Sequence, residues 1–265
     1  MEFETLALSE EGGILHVKLN RPEKRNAVNN QILLDLERCF SEVATGDNVR
    51  VVILSGEGKA FCAGTDLNQL GGSGRADGHG IRQLVRRAQR AFSAIENLEK
   101  AVIALIHGYA MGAGTEMILG CDLRIASEEA TFNIPEVDLG LVPDLGGSQR
   151  LPRVVGVGRA KELILTGKTI SAAEAERIGL VNKVVPLEEL QETGRAWAEE
   201  IMSNEPVAVG LAKRNIDMSF GQSLADGLES AAIAQSILLT GDDFRRRIEQ
   251  KIIQKNQGKK VAQPS

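Results

Sequence analysis

The feature that most constrains the fold is an alternation of short apolar runs with amphipathic stretches in the first half of the chain. "ILHVKL" (Ile14–Leu19) and "VVILS" (Val51–Ser55) have the length and β-branched content of strands. "AVIALI" (Ala101–Ile106) and "CDLRIAS" (Cys121–Ser127) have the same character. Because strands that alternate with helices form a largely parallel sheet covered by helices, the pattern predicts an α/β core.

The segment between the first two strands, "NNQILLDLERCFSEVA", predicts a helix. Either Asn29 or Asn30 can act as its N-cap. Its apolar residues recur at spacings of 4, 4 and 3, which places them on one helical face: Ile32, Leu36, Phe40 and Val43. The helix is therefore expected to cover one face of the sheet.

The end of the chain has a different character. "LVNKVVP" (Leu180–Pro186) predicts a last strand, and the chain from there to Lys255 has a helical pattern. Breaks are expected near Asn204–Pro206, Phe220–Gln222 and Thr240–Asp242. This shift predicts an α/β core over residues 1–188 and an all-helical region over residues 189–265.

A glycine-rich segment, "GGSGRADGHG" (Gly71–Gly80), predicts a mobile loop that leads into a helix. The polar side of that helix carries four arginines: Arg82, Arg86, Arg87 and Arg90. A solvated face is the simpler interpretation, and a face that contacts phosphate or RNA is the alternative.

Composition excludes several classes of function. A formal charge of −5 and only 3% aromatic residues argue against a nucleic-acid partner. The three cysteines, Cys39, Cys62 and Cys121, fit neither a disulfide framework nor a zinc site. The acidic N-terminus lacks the features of a signal peptide, and no apolar run is long enough to span a membrane. We therefore expect a cytoplasmic protein with reduced thiols and no metal.

Two glycine-bearing turns follow buried strands. They are "SGEGKAFCAGTDL" (Ser55–Leu67) and "HGYAMGAGTEM" (His107–Met117), and neither fits a phosphate-loop motif. A turn that enters a helix exposes backbone N–H groups that favour negative charge. Two such turns, if they converge, would form an oxyanion hole, although glycine turns are also common in α/β proteins without that role.

Four acidic residues occupy apolar or turn-rich surroundings. Glu116 lies in the apolar run "TEMILGC". Glu136, Asp138 and Asp144 all lie in "FNIPEVDLGLVPDLGG", which contains no Lys or Arg. For any one of the last three, a solvated turn acid is the simplest interpretation, whereas a satisfied surface position is a poor explanation of Glu116.

Together these motifs resemble the enoyl-CoA hydratase/isomerase (crotonase) superfamily. The resemblance rests on "GKAFCAGTDL", "HGYAMGAGTEMILGCDLRIAS", "FNIPEVDLGLVPDLGGSQRLPRVVG" and "ELILTGKTISAAEAERIGLVNKVV", and covers roughly Ile14 to Pro186. It implies a spiral of ββα units and a C-terminal helical region that forms trimers, usually as a dimer of trimers. It also implies an acyl-coenzyme A thioester as substrate and no further cofactor.

The resemblance assigns a role to four positions. The oxyanion-hole donors fall on the backbone N–H groups of Thr65 and Ala113; the family usually has Gly at the second position, and Ala retains the N–H. The glutamate pair of the hydratases falls on Glu116 and Glu136. Asp138 is expected to cap or tether its turn.

The resemblance also implies where coenzyme A would bind. The segments that contact its adenine and pantetheine match Ala27, Ala63, Asp66 and Leu67, and two basic residues, Lys24 and Arg25, are expected near its phosphates. The family often has an aromatic residue near its C-terminus that contacts coenzyme A, and "IEQKIIQKNQGKK" has none.

Asp144 departs from the hydratase pattern, which has Gly at this position. The spacing from Glu136 to Asp144 resembles the dienoyl-CoA isomerases, but those tend to carry Asp at the position of Glu116. We therefore expect an enoyl-CoA hydratase. The alternative is an isomerase that transfers protons with Glu136 and Asp144, and an idle or RNA-binding homologue is the least favoured hypothesis for an acidic chain.

Overall fold

A computed structural model describes residues 2–68 and 77–261, and for residues 254–261 it describes the backbone alone. Contacts divide the chain into one unit that ends at Ser203 and a second that begins at Asn204. The division lies later than the predicted boundary at 188/189. The reason is that the helix after residue 188 packs on the sheet of the first unit.

Within its described ranges, the first unit has nine strands in two sheets. They are β1 (Leu6–Glu11), β2 (Ile14–Leu19), β3 (Val51–Gly56), β4 (Ala101–Ile106), β5 (Tyr109–Met111), β6 (Leu123–Ser127), β7 (Thr131–Asn133), β8 (Ile170–Ser171) and β9 (Lys183–Val185). The larger sheet has the order β1-β2-β3-β4-β6-β9, and the smaller has the order β5-β7-β8. In the larger sheet only β1 runs antiparallel to its neighbour. The predicted, largely parallel α/β core is confirmed.

Seven α-helices of this unit lie within the residues that the structure describes. They are α1 (Asn30–Arg38), α2 (Gly78–Asn97), α3 (Ala113–Ile118), α4 (Gly147–Val155), α5 (Val157–Thr166), α6 (Ala172–Arg177) and α7 (Leu190–Met202). Asn29 is the N-cap of α1, because its Oδ1 accepts a hydrogen bond from Ile32 N at 2.8 Å. The helix continues through a π-turn over Cys39–Val43, which extends it over most of the predicted range.

The central strands of the larger sheet, such as β3 and β4, are buried on both faces, which explains their continuous apolar runs. Val52 and Leu54 of β3 belong to the main core with residues of α1 and α2. Val51 and Ile53, the alternate residues of the same strand, pack with Leu190 and other residues of α7. Because side chains alternate across a strand, a helix on each face demands apolar residues at every position.

The predicted loop Gly71–Gly80 was partly wrong. Residues 71–76 lie outside the described part of the chain, and Gly78–Gly80 form the first turn of α2. Asp77 Oδ1 accepts a hydrogen bond from Gly80 N at 2.8 Å. This cap satisfies one of the N–H groups that a helix terminus leaves unpaired, and so offsets the low helical preference of glycine.

The arginines of α2 lie on an exposed face. Arg82, Arg86 and Arg87 are exposed, and Arg90 pairs with Glu37 at 3.1 Å. The geometry agrees with the simpler interpretation, a solvated helical face.

The second unit consists of α8 (Pro206–Met218), α9 (Leu224–Thr240) and α10 (Asp242–Val261). The helices are interrupted where the sequence predicts breaks, and Glu205 and Ser223 cap the first two. Several large apolar side chains are exposed on this unit, among them Ile216, Phe220, Leu224 and Leu228. Within the ranges that the structure describes, no helix is long and apolar enough to cross a membrane.

Candidate active site

The two glycine-bearing turns lie against each other. Cys62 N donates to Tyr109 O, and Met111 N donates to Cys62 O, each at 3.1 Å. Gly64 has a φ of +90°, and a Cβ on it would lie 2.8 Å from Met111 O and 3.9 Å from Ala113 N. The absence of a side chain therefore allows the first turn to approach the start of α3. The expected convergence of the two turns is present.

Each turn presents an unengaged N–H group. In the parallel bridge between Val28 and Thr65, the hydrogen bonds run from Val28 N to Gly64 O and from Asp66 N to Val28 O. The N–H of Thr65 takes no part in them. Ala113 is the first residue of α3, and neither its N–H nor that of Thr65 hydrogen-bonds to another described residue. Both donors are available to a bound oxygen atom.

Glu116 is almost fully buried, with 1% of its surface exposed, and its carboxyl group receives two backbone hydrogen bonds. Oε1 accepts from Leu145 N at 2.9 Å and from Gly147 N at 2.7 Å. A Cβ on Gly147 would lie 2.8 Å from the same oxygen, so only glycine allows this approach. The N-terminal end of α4 thus holds a carboxyl group that comes from α3.

Glu136 brings a second carboxyl group to the start of α3. It is the first residue of a 3₁₀ turn over Glu136–Leu139, and it is half-buried. Its Oε1 lies 2.7 Å from the position that a Cβ on Gly112 would occupy. Its Oε2 is buried and makes no hydrogen bond to any described residue. A buried acceptor of this kind is costly unless a ligand or water satisfies it.

The carboxyl groups of Glu116, Glu136 and Asp144 influence one another. Burial raises the pKa of Glu116 to about 8, with the charges of Glu136 and Asp144 acting in the same direction and the N–H donors of Gly147 and Leu145 opposing them. Burial also raises the pKa of Glu136, to which the charge of Asp144 contributes, and burial raises that of Asp144. With a pKa of about 8, Glu116 retains near neutral pH a proton that an exposed carboxylate would have lost.

The two remaining acids of this region, Asp144 and Asp138, differ in their exposure to solvent. Asp144 is half-buried in the turn before α4, and its carbonyl oxygen accepts a hydrogen bond from Gln89 Nε2 at 2.7 Å. Asp138 is exposed, and its carboxylate oxygens lie 3.0 Å from the position of a Cβ on Gly167. The cluster therefore comprises Glu116, Glu136 and Asp144, and Asp138 lies outside it.

The two segments predicted to bind coenzyme A are adjacent. Ala63 N donates to Arg25 O at 2.9 Å, and Asp66 N donates to Val28 O at 2.8 Å. These bonds also fix Ala27, which lies between the two acceptors. The side chain of Arg25 is exposed.

The other members of the predicted set are on the surface or engaged. Lys24 is exposed, and 63% of Leu67 is exposed. The Asp66 carboxylate lies 3.5 Å from the Arg21 guanidinium and also accepts from Asn68 N at 3.2 Å. The negative charge of Asp66 is thus paired with Arg21 within the protein. The backbone of Asp66 directly follows that of Thr65.

Two structural residues of this region were missed from the sequence. Asn26 is fully buried with a φ of +56°, and its Nδ2 donates to Glu57 O and Ala60 O at 2.9 Å each. Its Oδ1 accepts from Arg21 N at 2.9 Å. Arg21 also donates to Ala27 O at 2.6 Å. An asparagine is a favoured residue at positive φ, which is the only signal that the sequence offered.

Comparison with known proteins identifies the family of the chain and several relatives. The model of the enoyl-CoA hydratase/isomerase family matches residues 9–251. The chain is 44% identical over 218 residues to a short-chain-enoyl-CoA hydratase of Clostridium acetobutylicum, with 82% of each chain covered. It is 37% identical to a peroxisomal Delta(3,5)-Delta(2,4)-dienoyl-CoA isomerase of Arabidopsis thaliana, with 96% and 95% covered. A crystal structure of enoyl-CoA hydratase from Bacillus anthracis aligns with a TM-score of 0.88 at 38% identity, covering 95% of this chain and 97% of that chain.

Proposed function

The chain belongs to the enoyl-CoA hydratase/isomerase (crotonase) family, and we propose that it is an enoyl-CoA hydratase that adds water to a trans-2-enoyl-CoA. Its α/β core with a helical C-terminal region is the crotonase fold that the sequence predicted. One observation carries the proposal. Two carboxyl groups with raised pKa, those of Glu116 and Glu136, adjoin two unengaged backbone N–H groups.

The N–H groups of Thr65 and Ala113 are proposed to bind the thioester carbonyl oxygen. When water attacks Cβ, negative charge develops on this oxygen as the enolate forms. Fixed donors that point at the developing charge stabilise the transition state, and each is typically worth ~10²–10³-fold in rate. The first N–H of α3 also lies at the positive end of the helix, which adds to the effect.

The glutamate pair is proposed to hold the attacking water and to transfer two protons. The ionised carboxylate accepts a proton from water as its oxygen bonds to Cβ, and the protonated carboxyl group delivers a proton to Cα. The product is a 3-hydroxyacyl-CoA. After the reaction, the carboxyl group that was ionised carries the proton and the other has lost its own. The proton must return to the first donor before the next turnover. Raised pKa values support this reaction, because at neutral pH one member must keep a proton that an ordinary carboxyl group has lost.

Coenzyme A is proposed to lie along the paired segments around residues 24–28 and 63–67. Ala27, Ala63 and Leu67 would contact its adenine and pantetheine, and Asp66 would contribute through its backbone because its carboxylate pairs with Arg21. Two exposed basic residues, Lys24 and Arg25, would face the phosphates. No metal or redox cofactor takes part in this mechanism.

An isomerase is the second candidate, and Asp144 is the observation that favours it. A half-buried carboxyl group coupled to Glu136 can remove a proton from the acyl chain while Glu136 returns one further along. The Arabidopsis relative, which is named a dienoyl-CoA isomerase, gives this alternative independent support.

Parallel assays separate the two candidates. The purified protein is incubated with crotonyl-CoA in one cuvette and with a 3,5-dienoyl-CoA in another. A hydratase removes the enoyl absorbance of the first, whereas a dienoyl isomerase changes the conjugated-diene absorbance of the second. Loss of enoyl absorbance that disappears in Glu136→Gln is the expected result. A reaction confined to the diene would assign the protein to the isomerases.

The assembly is proposed to be a trimer or a dimer of trimers. Exposed apolar residues of the second unit, such as Leu224 at 80% and Leu228 at 63%, support a buried interface between copies. Sedimentation equilibrium of the full chain tests the proposal. A mass of three or six chains is expected, and a monodisperse monomer contradicts it.

A further inference from the structure

The loop Pro143–Gly147 turns its N–H groups toward Glu116 because its carbonyl groups are held on the other side. Each of four consecutive carbonyl oxygens has a donor: Ser148 Oγ to Pro143 O at 2.9 Å, Gln89 Nε2 to Asp144 O at 2.7 Å, Arg150 Nη1 to Leu145 O at 3.0 Å and Arg150 N to Gly146 O at 2.7 Å. In a planar trans peptide the C=O and N–H point in opposite directions. Fixing these carbonyl groups therefore fixes the N–H groups of Leu145 and Gly147.

Arg150 is the one charged side chain among these donors, and it connects the loop to α2. Its guanidinium donates to Glu96 Oε2 at 2.6 Å and 3.1 Å, and to Ser93 Oγ at 3.2 Å. The Arg150 side chain is only 11% exposed. A guanidinium held by a carboxylate in this way has little freedom, so the third group that it binds, the carbonyl of Leu145, is fixed relative to α2.

The loop is built to admit this side chain. Gly146 has a φ of +119°, and a Cβ on it would lie 1.9 Å from Arg150 Nη1. Only glycine allows the guanidinium to lie directly over the middle peptide of the loop. The peptides on either side of that one carry the two N–H groups that bind Glu116 Oε1.

We infer that Arg150, anchored by Glu96, is a positioning residue for Glu116: it holds the middle peptide of the loop so that Leu145 N and Gly147 N both bind the Glu116 carboxyl group. The inference rests on the proposed function, since it assigns the position of one member of the glutamate pair. Arg150 touches neither the substrate nor Glu116 in this role. Its effect is on the orientation of the carboxyl group and on its affinity for a proton.

The sign of the effect follows from the hydrogen bonds. An N–H that donates to a carboxylate favours the ionised form and lowers its pKa. Loosening the loop weakens the bonds from Leu145 and Gly147, so the pKa of Glu116 must rise further above its ordinary value. A carboxyl group that titrates at higher pH moves the alkaline limb of kcat to higher pH.

The experiment compares Arg150→Gln with the wild-type protein by two measurements. Infrared difference titration follows the carboxyl band that is absent from Glu116→Gln, and it needs no substrate. Steady-state kinetics with crotonyl-CoA supply kcat and KM over pH. We expect the Glu116 titration and the alkaline limb of kcat to move to higher pH, and kcat to fall by about 10-fold to 10²-fold with little change in KM. Arg177→Gln, which breaks an exposed pair with Glu174, is the matched control and should change neither.

Two outcomes overturn the inference. One is a folded Arg150→Gln protein with lowered thermal stability but an unchanged Glu116 titration and kcat, since Arg150 would then support only the fold. If Arg150→Gln does not fold, Glu96→Gln decides in its place, because it keeps Arg150 and removes its anchor. An unchanged titration in folded Glu96→Gln also overturns the inference. Since the infrared titration does not depend on the reaction, a protein inactive on crotonyl-CoA would refute the proposed function and leave this inference to be judged separately.

Discussion

Glu136 Oε1 occupies the space that a side chain on Gly112 would need: the carboxylate oxygen lies 2.7 Å from the position of a Cβ on that glycine. Gly112 also has a φ of +47°, in the region that favours glycine. Its neighbour Ala113 carries one of the two unengaged N–H groups. One glycine thus allows a carboxylate and a backbone donor to meet at the start of α3.

Gly112→Ala should therefore damage the site more than the fold. The methyl group must displace Glu136 or the start of α3, and a displacement of about 1 Å at reacting groups can cost ~10²-fold in rate. Overpacking adds about 1–3 kcal/mol of destabilisation. We expect kcat/KM for crotonyl-CoA to fall by about 10²-fold, as measured by steady-state kinetics alongside thermal denaturation.

Gly158→Ala is the matched control for that substitution. Gly158 lies on the exposed side of α5, with no atom within 4 Å of a Cβ and no positive φ. Alanine there should leave activity unchanged and stabilise the protein by about 0.4–1 kcal/mol. Full activity of Gly112→Ala would show that Glu136 does not need its observed position.

Thr65 provides a test of the oxyanion hole. Its N–H donates to no described residue. Replacing this N–H therefore breaks no hydrogen bond within the described part of the fold. Thr65→Ala should keep most of the activity, because the N–H remains. Thr65→Pro removes the donor, and we expect kcat to fall by ~10²–10³-fold. Circular dichroism and melting curves establish that both variants fold, and equal losses in the two variants would mean that the hydroxyl or the shape of the loop matters instead.

Asp144→Asn separates the two candidate reactions. For a hydratase, Glu116 and Glu136 suffice, so the substitution should reduce crotonyl-CoA hydration by less than about tenfold, whereas Glu136→Gln should reduce it by ~10²–10⁴-fold. For an isomerase, Asp144→Asn should produce a comparably large loss on the 3,5-dienoyl-CoA, because an amide cannot exchange the proton. We expect the hydratase pattern. Asp138→Asn, on the same segment but exposed, is the control that should affect neither reaction.

The sequence predicted those parts of the site that depend on residues close to one another in the chain. A buried strand followed by glycines and a helix is a local pattern, and it located both turns and drew attention to Glu116. The function of Glu136 came from the resemblance to a family, because its own surroundings suggested only an ordinary turn acid. Strands β5 and β7 are three residues long, too short to show an alternating pattern.

The supporting contacts could not be predicted, because they join residues that are far apart in the chain. Leu145 is 29 residues from Glu116, and Arg150 is 54 residues from Glu96. Asn26 reaches Ala60 over 34 residues. Such pairs become neighbours only when the strands are ordered, and no local pattern predicts the register between these distant segments.

The raised pKa of Glu116 makes a prediction about stability. The unfolded chain releases this proton at an ordinary pKa of 4.5, and the folded protein releases it at about 8. Between these values the folded state binds more protons than the unfolded state, so this group's contribution to stability is complete below about pH 4.5 and is lost as pH rises toward about 8. Gln in its place can still accept the bonds from Leu145 and Gly147 but does not ionise. The melting temperature of Glu116→Gln relative to wild type should therefore increase between about pH 5 and about pH 8.

Glu162→Gln is the control for that measurement, because folding lowers the pKa of Glu162, whereas it raises the pKa of Glu116. The half-buried Glu162 carboxylate accepts hydrogen bonds from Lys168 and Arg159, which lowers its pKa to about 2. It is ionised in the folded and in the unfolded state over nearly all of the interval from about pH 5 to about pH 8, so its replacement should shift the melting temperature by a nearly constant amount. A similarly constant difference for Glu116→Gln would mean that Glu116 is already ionised at about pH 5. In that case the two N–H donors outweigh burial, and the proton delivered to Cα would have to come from Glu136.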